Sequence, residues 1–159
     1  MELKRILLVE DSINDVELIL TSLVENHIGN EVVVVRDGEE ALDYLYRRGM
    51  YRLRREGNPV VLLLDLKLPK IDGIEVLSQL KTDPSLRIIP VVVLTSSREE
   101  QDLSQCYELG TNAYVVKPID FNEFVDVIRG LGLFWAIINE PPPGLITPAN
   151  RNQGITGQE

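Results

Sequence analysis

Four unbroken apolar runs limit what this chain can fold into more than any other feature: Ile6-Leu7-Leu8-Val9, Val32-Val33-Val34-Val35, Val60-Val61-Leu62-Leu63-Leu64 and Val91-Val92-Val93-Leu94. Each is rich in β-branched residues and is bounded by polar or turn residues. None alternates with polar side chains, which is how strands covered on both faces of a parallel sheet read. Ala113-Tyr114-Val115-Val116 is a fifth, shorter candidate.

Helical spacing fills the gaps. Val16, Ile19, Leu20 and Leu23 follow an Asn14/Asp15 cap, and Ala41, Leu42 and Leu45 follow Asp37, with Glu40 placed as the reciprocal partner of a capping box. Ile74, Leu77 and Leu80 follow Asp72-Gly73; Leu103, Cys106 and Tyr107 precede Gly110, a residue suited to ending a helix. A fifth helix opens at Asp120 and carries Phe121, Phe124, Val125 and Ile128 on one face. Strand and helix thus alternate five times. The pattern predicts an α/β fold: a (βα)5 doubly wound, five-stranded parallel sheet with right-handed crossovers and helices on both faces.

A chain of 159 residues fits one domain with a real core. Sixteen Lys and Arg against 25 Asp and Glu give a net charge of −9, which excludes generic binding to nucleic acid or to an anionic membrane. No apolar run approaches about 18 residues, so neither a membrane span nor a signal peptide is expected and the chain reads as cytoplasmic. The lone Cys106 rules out an intrachain disulfide framework and reads as a small core residue; with the single His27, a surface loop residue, it leaves too few ligands for a transition-metal site. Two segments depart from the rhythm. Arg47–Gly57 gathers Arg47, Arg48, Arg52, Arg54 and Arg55 and reads as a solvated helix end plus a long loop, while the Pro- and Gly-rich tail from Asn139 reads as disordered.

In an open α/β sheet, ligands bind beyond the carboxyl ends of the strands. Those ends carry Glu10-Asp11, Asp65, Thr95-Ser96 and Lys117-Pro118. A carboxylate just past a strand is often only the cap of the next helix. Here the polar groups fall at the corresponding place on several strands. Two carboxylates about 4 Å apart repel by about 4 kcal/mol at an effective dielectric near 20, so three of them with one Lys call for a divalent cation. Oxygen donors alone favour Mg²⁺, with Mn²⁺ as a substitute. Asp65, last on its strand, is placed to attack an activated phosphoryl group, while Lys117 and the cation stabilise charge on the transferring oxygens.

Four segments, Leu7-Leu8-Val9-Glu10-Asp11, Asp65-Leu66-Lys67-Leu68-Pro69-Lys70-Ile71-Asp72-Gly73, Val93-Leu94-Thr95-Ser96 and Tyr114-Val115-Val116-Lys117-Pro118, together resemble the receiver domain of two-component response regulators. The likeness spans nearly all of residues 3–135. It implies a CheY-like, flavodoxin-like sheet with strand order 2-1-3-4-5. It further implies Asp65 as phosphoacceptor, Asp11 as a direct metal ligand, Glu10 as its partner through water, and a metal contact from the Lys67 backbone carbonyl. Thr95, with Ser96 beside it, resembles the switch hydroxyl, Tyr114 the switch aromatic, and Lys117 the phosphate-binding ammonium ahead of a cis Pro118. Lys67, two residues after the acceptor, departs from the commoner pattern and puts a cation at the mouth of the site.

The Arg-rich segment before Asn58-Pro59, the Asp83–Pro90 connection, the Cys106–Tyr114 stretch and the Phe134-Trp135 ending resemble small response regulators paired with cyanobacterial phytochrome kinases. That likeness implies a light-sensing histidine kinase as phosphoryl donor and a homodimer, for which Tyr107, Phe134, Trp135, Ile137 and Ile138 are the interface candidates. With a receiver over residues 1–135, the 24 positions 136–159 hold no DNA-binding or enzymatic effector. Output is then expected through protein–protein contact.

Three rivals share parts of this site. A haloacid-dehalogenase-type phosphatase needs a second carboxylate where Lys67 stands. A flavodoxin-like flavin carrier needs a hydroxyl- and Gly-rich first loop, whereas Glu10-Asp11-Ser12-Ile13-Asn14-Asp15 is acidic. A pseudo-receiver that binds without taking phosphate has no need of Asp65, Thr95 and Lys117 together.

Overall fold

The computed structural model describes residues 4–25 and 31–143; His27 and the tail from Gly144 lie outside them. Strands β1 (Arg5–Val9), β2 (Glu31–Val35), β3 (Val61–Leu64), β4 (Val91–Thr95) and β5 (Ala113–Val116) alternate with helices α1 (Ile13–Glu25), α2 (Gly38–Tyr46), α3 (Gly73–Thr82), α4 (Glu100–Leu109) and α5 (Phe121–Gly132). All neighbours pair in parallel, in the order β2-β1-β3-β4-β5.

Successive strand side chains point to opposite faces, so each apolar run feeds two cores. Leu7, Val9, Leu62, Leu64, Val91 and Val93 pack with Leu42, Leu45, Val76, Leu77, Leu80 and Cys106 from α2, α3 and α4. Ile6, Leu8, Val61, Leu63, Val92 and Leu94 pack with Val16, Ile19 and Leu23 of α1 and Phe124 and Ile128 of α5. The expectation of strands buried on both faces holds for β1, β3 and β4. It fails for β2 and β5, which are sheet edges and only partly covered.

Asp37, Asp72 and Asp120 cap α2, α3 and α5 by accepting the amides of Glu40, Glu75 and Glu123 at 2.8–2.9 Å. Gly110 closes α4 in the left-handed region at φ 102°. The α1 cap differs from the sequence reading. Ser12, not Asn14 or Asp15, takes that place, its Oγ accepting the Asp15 amide and its carbonyl the Val16 amide. Asp15 is thereby released for other work. Phe121, expected on the inward face of α5, is exposed instead, since Phe124 with Ile128 fills that face; on α4 Cys106 is buried while Leu103 and the interface candidate Tyr107 are exposed.

The basic segment is not a plain solvated loop. It forms a 3₁₀ turn, Gly49–Tyr51, and two of its arginines turn inward. Arg47 donates to the carbonyls of Arg54 and Glu56, and Arg54 lies 4.2 Å over the Tyr44 ring while donating to the carbonyls of Tyr44, Glu56 and Gly57. At the other end, a π-helical turn, Leu133–Ile138, prolongs α5. Ala136 is buried, Trp135 packs partly against the α1/α5 core with its ring edge-on to Phe134, and Phe134, Ile137 and Ile138 are exposed.

Close packing of backbone on backbone positions the site loop that follows β3. A Cβ at Gly73 would lie 2.2 Å from the Asp65 carbonyl oxygen, and one at Gly38 would lie 1.8 Å from that of Ile71. Both positions therefore require glycine.

Candidate functional site

The β1–α1, β3–α3, β4–α4 and β5–α5 loops meet over the carboxyl edge of the sheet. Parallel register brings Val9 beside Leu64, so the residues that follow, Glu10 and Asp65, emerge next to one another. Oxygen atoms of Glu10, Asp11 and Asp65 lie within 4.8 Å of one another, with Glu10 and Asp65 buried and Asp11 exposed. Each buried carboxylate is held at both oxygens. Glu10 Oε1 accepts the Ser12 amide at 3.1 Å and Oε2 the Lys117 ammonium at 2.6 Å; Asp65 Oδ1 accepts the Leu66 amide at 2.8 Å and Oδ2 Lys117 at 3.3 Å.

Lys117 has a third partner, Asp15 Oδ2 at 2.8 Å. Sequence reading missed Asp15 because it took that residue for a cap. The Lys117–Pro118 bond is trans, correcting the expected cis Pro118. The two forms of a bond before proline differ by only about 0.5–1 kcal/mol, so sequence alone does not force the rarer one, and Lys117 reaches all three carboxylates from the trans form.

Burial pushes the Glu10 carboxyl up to about 7, the hydrogen bond from Lys117 opposing the rise and the Asp65 charge adding to it. For Lys117, burial works against the charge, but hydrogen bonds to Asp15 and Glu10 and the Asp65 carboxylate outweigh it and hold the ammonium above its ordinary range. Lys117 thus stays charged and Glu10 is the group that takes a proton. A carboxyl raised in the folded state favours folding fully below its unfolded value of 4.5, and that stabilisation is lost as pH rises through about 7. In chelator, the thermal midpoint of wild type is expected to fall over this window relative to that of Glu10→Gln, by at most about 1.4 kcal/mol of stability per pH unit. Parallel pH profiles for the two proteins would contradict the shift.

Thr95 is fully buried at the end of β4, and its Oγ1 accepts the Ser97 amide at 3.3 Å. The Ser97 carbonyl in turn accepts the Tyr114 hydroxyl at 3.1 Å. Ser97 Oγ donates to Asp102 in the first turn of α4 at 2.6 Å and accepts the Glu99 amide. Ser97 is therefore the junction between Thr95, Tyr114 and α4. Ser96, the hydroxyl expected beside Thr95 at the switch, is exposed instead. Lys67 is also exposed, and a groove of about 390 Å³ runs from Asp11 along Leu66–Pro69 to Asp72 and Asp102.

The acidic, lysine-bridged crevice lies at the carboxyl edge of a 2-1-3-4-5 parallel sheet, where open α/β folds of this class bind their ligands. Residues 6–129 match the family model described as response regulator receiver domain, and the chain belongs to that family. It is 42% identical over 132 residues to the response regulator Rcp1 of Synechocystis sp., covering 83% of this chain and 88% of Rcp1. The Mn²⁺-bound structure of Rcp1 superposes with a TM-score of 0.83, covering 87% of this chain and 99% of that one at 40% identity. The phosphorylated cyanobacterial phytochrome response regulator RcpA does so with the same score at 41% identity, covering 89% and 99%. The bacteriophytochrome response regulator AtBRR is 61% identical, covering 88% of this chain and all of its own, with a TM-score of 0.71. Among the described residues, no helix is long and apolar enough to cross a membrane.

Proposed function

We propose that the chain accepts a phosphoryl group on Asp65 from a phosphohistidine of a phytochrome-type sensor histidine kinase and signals in the cytoplasm by protein–protein contact. The observation that carries this reading is the meeting of Glu10, Asp11 and Asp65, with the Lys117 ammonium bridging Glu10 and Asp65. Three hard oxygen ligands fit Mg²⁺, and Mn²⁺ bound to Rcp1 supports a divalent ion here. Glu10, Asp11 and Asp65, with the Lys67 carbonyl, would hold the ion, which supplies positive charge to the oxygens of the transferring group. A carboxylate oxygen of Asp65 forms the new P–O bond as the P–N bond breaks, and the kinase imidazole leaves with the electron pair. Lys117 exchanges carboxylate partners for a phosphoryl oxygen, keeping its charge on the developing negative charge. Beyond catalysing its own phosphorylation and dephosphorylation, the chain needs no enzymatic activity for this role.

The names of RcpA and AtBRR support the phytochrome link. Thr95 is the group that answers the new phosphoryl oxygens. As its hydroxyl turns toward them, Ser97 loses its acceptor, and Tyr114, bonded to the same residue, is free to turn inward. An autophosphorylated phytochrome-type kinase mixed with the chain and Mg²⁺ should pass its label both to wild type and to Thr95→Ala, while only wild type changes its affinity for kinase on phosphorylation. Transfer no faster than from an unrelated histidine kinase overturns the phytochrome assignment, and an unaltered response in Thr95→Ala overturns the switch.

Residues 1–135 serve as the receiver and 136–159 as a C-terminal extension that contributes to a homodimer through α4, β5, α5 and the π-helical turn. Tyr107, Phe134, Ile137 and Ile138 present the apolar surface a two-fold contact reuses, whereas Trp135 is committed partly to its own core. Light scattering should find a dimer for wild type and a monomer for Phe134→Ser with Ile137→Ser. A wild type that stays monomeric with Mg²⁺ and phosphoryl donor present removes the proposal.

A further inference from the structure

The acidic loop between β1 and α1 is gripped from the side away from the site. Arg36, the first residue after β2, sends its guanidinium across the β2–β1 pair, where Nε donates to the Glu10 carbonyl at 3.1 Å and an Nη to the Asp11 carbonyl. A peptide unit is planar and trans, so its carbonyl and the following amide point in opposite directions. Arg36 holds the carbonyl of the Asp11–Ser12 unit; the amide of that same unit, Ser12 N–H, donates to Glu10 Oε1. The grip on one end of the peptide therefore fixes the other end against the buried carboxylate. The second oxygen of that carboxylate is the one bridged by Lys117.

Arg36 is itself held. Its backbone amide donates to Glu40 Oε2 at 3.1 Å, and Glu40 Oε1 accepts the Tyr51 hydroxyl at 2.7 Å. Glu40 thus binds one residue before the cap position, and the 3₁₀ turn of the Arg-rich segment supplies the group that fixes it. This explains what an ordered Tyr51 in that segment does for a site at the opposite end of α2.

We infer that Arg36 is a positioning residue for divalent-cation binding, acting through the Asp11–Ser12 peptide on Glu10 and braced by Glu40 and Tyr51. The inference rests on the reading of Glu10, Asp11 and Asp65 as the cation site. With Arg36 on its carbonyls, the loop meets the ion already arranged, an Asp11 oxygen within 4.8 Å of those of Glu10 and Asp65. Groups that orient metal ligands are typically worth roughly 10- to 100-fold in affinity, and the exposed setting of Arg36 favours the lower end.

The test is calorimetric titration of the full chain with Mg²⁺ and with Mn²⁺, alongside thermal unfolding in chelator. Arg36→Ala should weaken cation binding roughly ten-fold, Tyr51→Phe by a smaller factor, and Arg36→Lys should recover part of the loss, because one ammonium keeps the charge without the two-carbonyl fork. Arg5→Ala is the control, since Arg5 pairs with Glu31 at 2.9 Å at the far end of the same two strands. It should lower the unfolding midpoint and leave cation affinity alone. If Arg36→Ala lowers the midpoint as Arg5→Ala does but binds the cation like wild type, Arg36 is merely a strut and the inference fails. Asp11→Asn separates the two layers: loss of cation binding there with normal binding in Arg36→Ala defeats only the clamp, whereas normal binding in Asp11→Asn defeats the site reading itself.

Discussion

Asp65→Asn is expected to take up no phosphoryl group from a small acyl-phosphate donor and Mg²⁺, under conditions in which wild type takes up one. The substitution keeps the shape of the side chain and an acceptor for the Leu66 amide, but an amide oxygen carries no full charge with which to form the P–O bond. It also lowers the charge facing Lys117, so the fold should survive. Intact-mass measurement reads the result directly; equal uptake by the variant would assign the chemistry to another residue.

The next largest effect is expected at Lys117. Its ammonium meets Glu10, Asp15 and Asp65 at 2.6, 2.8 and 3.3 Å, and its side chain is only 10% exposed. Removing one partner of a buried ion pair costs about 3–5 kcal/mol when the other charges stay unpaired. Glu10, with its carboxyl already near neutral pH in its protonation, relieves part of that by taking a proton. Lys117→Ala should therefore be less stable than wild type in chelator and recover much of the difference on adding Mg²⁺, which replaces the lost positive charge. The chemistry does not recover in the same way. A positioned donor to a developing negative charge is typically worth about 10²- to 10³-fold in rate, so phosphoryl uptake at saturating Mg²⁺ should slow by about that much. Stopped-flow or quenched mass measurement checks it, and a variant that labels at the wild-type rate would take Lys117 out of the transfer step.

The fold was legible because the strongest signals in the chain are cooperative over several residues. Unbroken Val- and Leu-rich runs and Asp caps at α2, α3 and α5 each specify an element without knowledge of its neighbours, and register then carries Glu10 and Asp65 to one edge. Legibility stopped where a hydrogen bond depends on how two loops meet. Ser96 and Ser97 are indistinguishable as sequence, yet the turn after β4 exposes one and buries the other between Thr95, Tyr114 and Asp102. Asp15 reads equally well as a cap or as a partner for a distant Lys, and only the Ser12 cap decides it. Arg36 gave no signal at all, because an arginine after a strand acquires meaning from the carbonyls across from it.

Chemical localisation of the phosphoryl group on the wild-type chain tests the central claim most directly. Borohydride reduction of an aspartyl phosphate converts that side chain to a homoserine, which peptide mass spectrometry assigns to a single position. After incubation with phosphoryl donor and Mg²⁺, the modification is predicted at residue 65 and to vanish when chelator replaces the ion. A phosphoryl group mapped to Asp11, Glu10 or any residue other than Asp65, or full labelling without a divalent ion, would contradict the account.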